Sequence, residues 1–87
     1  MITITVTKTD ILKGEPCSPT QCAIARAARR GRRHLKGVRV EPDRIKFCTD
    51  EDWAYEAYDL PKKAQQFITR FDNGVPKARL KPFTFRL

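Results

Sequence analysis

Cys17, Cys22, His34 and Cys48 are the side chains of this sequence with the chemistry to hold a soft metal ion or to supply a nucleophile. Zinc takes such ligands in fours, arranged as a tetrahedron. The spacing opposes one shared site: along a continuous helix Cys22 and His34 would be separated by about 18 Å. The same separation keeps His34 from serving as the base for a Cys22 nucleophile. Cys17 and Cys22 suit a structural role better, as the two apolar halves of a staple flanking a helix cap at Ser18. The carboxylates of residues 50–59 lie side by side with no accompanying pocket, nucleotide-loop or metal motif. No catalytic residue, metal or cofactor is therefore assigned, and the expectation is a protein that binds and does not catalyse.

Binding chemistry is concentrated in the basic run that follows. Arg26, Arg29, Arg30 and Arg33 recur at helical spacing within an arc of about 100°, and Arg32, Lys36 and Arg39 extend the charge. Guanidinium forks match phosphate oxygens, so this set is the predicted nucleic-acid-binding surface, with affinity drawn from the backbone and not from base identity. As exposed residues, the four helical arginines are expected to be replaceable by Ala at less than about 0.5 kcal/mol each. Aromatic RNA-binding, helix-turn-helix and zinc-finger motifs are all lacking, which leaves DNA and RNA open. The partner expected is nucleic acid or a host nucleoprotein complex. The acidic-aromatic stretch Asp50, Glu51, Asp52, Trp53, Tyr55 and Tyr58 offers an alternative. Aromatic residues dominate interface hot spots, so this surface could inhibit a host enzyme or a defence complex such as CRISPR by protein contact. It could also meet the arginines of a second copy and give a homo-oligomer.

These residues need a scaffold, and 87 residues make one small domain. Ile2, Ile4 and Val6 alternate with threonines as in a strand, and "TDILKG" can form a helical turn ended by Gly14. Ser18, Pro19 and Gln21 read as a capped helix start. That helix would bury Ile24, Ala27, Ala28, Gly31 and Leu35 and turn its arginines to solvent. "GVRVEPDRIKFC" reads as a hairpin with Val38, Val40, Ile45 and Phe47 in one apolar layer. Trp53, Tyr55 and Ala57 alternate as in a strand, although Ala54, Ala57 and Tyr58 also fit a helical turn. Leu60, Ala64, Phe67, Ile68 and Phe71 mark a second helix from about Pro61, stopped at Gly74. Beyond a linker over 76–82, Phe83, Phe85 and Leu87 alternate in a closing strand. The predicted fold class is α+β, with two helices packed on a small antiparallel or mixed sheet.

Composition agrees with this reading. Hydrophobic residues make up 40% and charged residues 32%, ordinary values for a globular domain. A net charge of +8 favours an anionic partner, and seven cations against Asp72 alone make the stretch from Lys62 to Arg86 basic. The first ten residues do not read as a secretory signal. Nor does any apolar run approach the ~20 residues that span a bilayer, so no membrane partner is expected. An odd number of cysteines without an export signal suggests a reducing cytoplasm.

The patterns "CAIARAARR", "YDLPKKAQQFITRFDNG" and "PFTFRL" together resemble small uncharacterised proteins encoded by tailed bacteriophages. They are core and turn residues and cover roughly half the chain. The resemblance implies a phage or prophage origin and a host bacterial cytoplasm, and it carries no activity with it. The acidic-aromatic stretch lies outside the shared pattern.

Overall fold

A computed structural model describes residues 2–30, 35–49 and 55–87. Strand β1 (Thr3–Val6) exposes Thr3 and Thr5 and buries Ile4 and Val6, as its alternation requires. Thr7 then caps helix α1 (Lys8–Lys13) in a reciprocal box. The Asp10 amide donates to Thr7 Oγ1 (3.3 Å), and the Thr7 amide donates to Asp10 Oδ2 (2.9 Å). The box gives "TDILKG" a six-residue helix, more than the single turn expected.

Gly14 ends α1 where the chain passes closest to the start of helix α2 (Ala23–Arg29). A Cβ on Gly14 would lie 2.6 Å from the Ala23 amide nitrogen and 2.7 Å from the Asp10 carbonyl oxygen. Only glycine permits that approach. Helix α2 is buried nearly all round, at Ala23, Ile24, Ala25, Ala27 and Ala28. Alanines suit this place, because α2 packs against α1, β1 and the next strand, β2 (Leu35–Val40), at once.

The predicted extent of this helix needs correction at both ends. Ser18 is not its N-cap; Cys22 is, with Sγ accepting from the Ala25 amide (3.4 Å). In a helix begun at Ser18 the Pro19 carbonyl would accept from Ala23, but here it accepts from Val40 (2.7 Å) and ties the segment to the edge of β2. Residues 18–22 form a separate turn, closed by Gln21 donating to Ser18 Oγ (3.1 Å). At the other end Arg30 is already extended, and Leu35 belongs to β2. The Cys17–Cys22 staple is absent for the same reason: Cys22 is buried, whereas Cys17 is exposed with φ 60°. The Cys17 amide donates to Asp72 Oδ1 (2.8 Å). Gly31 lies outside the described residues.

Strands β2, β3 (Arg44–Thr49) and β4 (Tyr55–Asp59) form an antiparallel meander. Val38 pairs with Phe47 and Val40 with Ile45, so the apolar layer predicted for the hairpin is present and buried. The strand reading of the following segment holds over Tyr55–Asp59, while Trp53 and Ala54 lie outside the described residues. Helix α3 (Lys62–Asp72) buries Ala64, Phe67, Ile68 and Phe71 as its periodicity predicts. Gly74 ends it with φ 84°. The 76–82 linker contains a 3₁₀ turn, Lys77–Arg79, and leads to β5 (Phe83–Arg86), which pairs antiparallel with β1.

The architecture is α+β. Its strands are divided between a two-stranded and a three-stranded antiparallel sheet, and α1 adds a third helix to the two expected. No described helix is long and apolar enough to cross a membrane.

Candidate nucleic-acid interface

The arginines of α2 do not form one solvent-facing stripe. Asp10 is the reason: its side chain is only 2% exposed, and a carboxylate buried this deeply needs a countercharge. Arg30 Nη2 donates to both Asp10 oxygens, and Arg30 Nη1 donates to the Thr5 carbonyl (3.3 Å). Arg26 Nε lies 3.8 Å from Asp10 Oδ1, within ion-pair range, and this buried nitrogen has no hydrogen-bond partner. Burial pushes the Asp10 carboxyl up. Hydrogen bonds from Arg30 and Thr7, together with the Arg30 charge, outweigh that effect and hold it below the usual carboxylate range. Arg26 and Arg30 thus neutralise Asp10 from the edge of the core, while Arg29 stays half-buried at the helix end. Arg32, Arg33 and His34 lie outside the described residues.

Two of the strand cations, Arg44 and Lys46, are also locally balanced. Arg39 and Lys46 sit opposite each other on the outer face of the meander, and Lys46 reaches Glu41 at 3.1 Å. Arg44 lies 3.5 Å from Asp43. Lys36 is placed in β2. Of the acidic-aromatic set, Asp50, Glu51, Asp52 and Trp53 lie outside the described residues, and Tyr55 is placed in β4. Tyr58 packs edge-on against Phe47 and donates to Glu56 Oε2 (2.8 Å), a bond to a carboxylate that holds its phenol above the usual range.

Cys17 and Cys22 line an apolar cleft of about 350 Å³ between the 17–22 turn, the β2–β3 turn and α3. Burial pushes the Cys22 thiol up, which keeps it protonated and a poor nucleophile. Among the described residues no cluster of His, Cys, Asp and Glu could hold a metal ion.

Uncompensated charge gathers elsewhere. Lys63, Gln66, Phe67 and Arg70 fall on one face of α3, at i, i+3, i+4 and i+7. The end of the 3₁₀ turn and the segment after it run alongside and contribute Arg79, Leu80, Lys81, Pro82 and Phe83. Between them lies an open groove of about 390 Å³, with Lys63, Arg70, Arg79 and Lys81 exposed at its walls and no carboxylate among its lining residues. None of the four pairs with a carboxylate of the described residues. Lys77, nearby in sequence, differs: its Nζ donates to the Leu12 and Gly14 carbonyls, both at 2.9 Å, and so braces α1.

Helix stability accounts for Arg70, in the last turn of α3, but not for the lysines at its start. Lys62 and Lys63 open α3, whose first turn contains no acid. Cations at a helix N-terminus oppose the macrodipole. The basic stretch from Lys62 to Arg86 is visible in the sequence, but its convergence on one groove depends on how 73–82 folds back, which periodicity does not encode.

Fold and site together define a small α+β protein with a concave, unbalanced basic surface. Comparison with family models, with characterised proteins and with solved structures finds no match to this chain.

Proposed function

We propose that this protein binds nucleic acid through phosphate contacts, without catalysis, in the cytoplasm of its host cell. The observation that carries the reading is the convergence of Lys63, Arg70, Arg79 and Lys81 on a groove free of carboxylates. Several other cations of the described fold are met by an acid, Arg26 and Arg30 at Asp10, Lys46 at Glu41 and Arg44 at Asp43. Here it is not, and a polyphosphate backbone supplies the missing counterions. The helical arginines contribute less than their number suggests, because Arg26 and Arg30 are already bound to Asp10.

The test is fluorescence anisotropy with labelled duplex DNA, single-stranded DNA and RNA at several salt concentrations. Four engaged phosphates give a log-log salt slope of about −3.6 on a duplex and about −2.8 on a single strand. Replacing Lys63, Arg70, Arg79 and Lys81 together with Ala is expected to abolish binding and leave the melting temperature nearly unchanged, since all four are exposed. Undiminished binding by that variant, or no binding by the native protein at low salt, would refute the reading and direct attention to a protein partner.

A further inference from the structure

The groove holds one feature that phosphate contact does not require. Phe83 lines it, half-buried, among the four cations. Phe83 and Phe85 share one face of β5, yet Phe85 is only 1% exposed while Phe83 reaches the edge of the core. Its ring is held in place by Phe67, with centroids 4.9 Å apart, and by Phe85 at 5.7 Å. Gln66, with both donor and acceptor atoms, lies exposed beside it.

We infer that the ligand of this groove is a single-stranded nucleic acid, with one base stacked on Phe83 and the flanking phosphates held by Lys63, Arg70, Arg79 and Lys81. The inference rests on the nucleic-acid reading above and narrows it. An aromatic ring framed by cations is the usual equipment of single-strand binding, because every base has a face to stack and the backbone follows the charge. A duplex offers no such face, since its bases are already paired and stacked. Shape agrees: the cations stand on two opposing walls, α3 and the 79–83 segment, and enclose about 390 Å³. That volume lies at the small end of ligand sites, suited to one nucleotide at a time and not to the convex side of a double helix. Phe83 is fixed before binding by its aromatic neighbours, so little side-chain entropy is lost on stacking.

The experiment compares a labelled ten-nucleotide single strand with a duplex of the same length, at one salt concentration, on the native protein, Phe83→Leu, Phe83→Trp and the four-cation variant. Native protein should bind the single strand more tightly than the duplex. Phe83→Leu keeps an apolar side chain against Phe67 but removes the stacking face, and should lose about 5- to 150-fold in single-strand affinity with an unchanged salt slope and duplex affinity. Phe83→Trp should bind the single strand at least as well as the native protein, which decides the matter should Phe83→Leu melt below the assay temperature. Equal affinity for both nucleic acids, an unchanged single-strand dissociation constant in a folded Phe83→Leu, or single-strand binding weakened by Phe83→Trp would each overturn the inference. If the four-cation variant loses all binding while both Phe83 variants match the native protein, phosphate binding stands and base stacking falls. If the native protein binds neither probe at low salt, both fall.

Discussion

Replacing Asp10 with Asn removes one negative charge from the core while keeping an oxygen that can accept from the Thr7 amide, so the α1 cap is largely preserved. What is lost is the charge on the hydrogen bonds from Arg30 and on the ion pair with Arg26. Hydrogen bonds to a charged group contribute about 1.5–3 kcal/mol net. The lower half of that range applies, because the Arg30 side chain is 49% exposed and its freed guanidinium can rehydrate. A stranded buried charge would cost more, about 3–5 kcal/mol. The expected loss at pH 7 is therefore about 2 kcal/mol, or a fall in melting temperature of about 8–16 °C for a domain of this size. The sign with pH follows from the direction of the shift. Asp10 titrates lower in the folded protein than its ordinary value of 3.8, so its contribution is complete above that value and disappears as pH falls through the folded pKa. Urea unfolding of the native protein and Asp10→Asn at pH 7 and pH 2 should show a gap at the first pH that is smaller at the second. An Arg30→Gln background should shrink the pH 7 gap to about 0.5 kcal/mol if the two side chains act as a pair. A gap below about 0.5 kcal/mol at pH 7, or one of equal size at both pH values, would refute this account of the core charge.

Changing Arg26, Arg29, Arg30 and Arg33 together to Ala should cost about 3–5 kcal/mol by thermal or urea unfolding, since Asp10 is left buried without its arginine countercharges; the sequence alone predicts less than about 0.5 kcal/mol for each. Gly14→Ala should destabilise by about 1–3 kcal/mol in the same assays, because the new methyl meets backbone atoms of Ala23 and Asp10 that cannot swing aside.

Strong periodicity carried over into structure with little loss. The α3 apolar set, the alternation in β1 and β5 and the Val38–Phe47 and Val40–Ile45 pairs were all legible, because burial on one face leaves a direct imprint on residue order. The Ser18 cap was not, although its local chemistry is sound and its hydroxyl does accept the Gln21 amide. A bond from Val40 to the Pro19 carbonyl, made across the fold, displaced the helix start to Cys22. The arginines misled for a related reason. Helical spacing gives a residue's angle around an axis, but it does not say that a buried acid twenty positions earlier will draw Arg30 inward. Asp10 could have been suspected from the T-x-x-D pattern at Thr7, a capping signal that also places a carboxylate against the core. The groove depended on a turn-rich segment folding back along α3, and such a return leaves no periodic trace.

The pairing of β1 with β5 sets a schedule for assembly. Thr3 faces Arg86 and Val6 faces Phe83, so β1 waits for a strand synthesised well after the meander. The meander joins neighbours in sequence and closes short loops, whereas the β1–β5 ladder closes a far longer one, an entropic step that grows with the logarithm of loop length. Until Phe83 to Arg86 emerge, Ile4 and Val6 lie on a strand with no partner, open to pairing with another chain. β5 thus shields β1 in the nascent protein, and the rate at which the intervening residues are synthesised limits how long that edge stays bare.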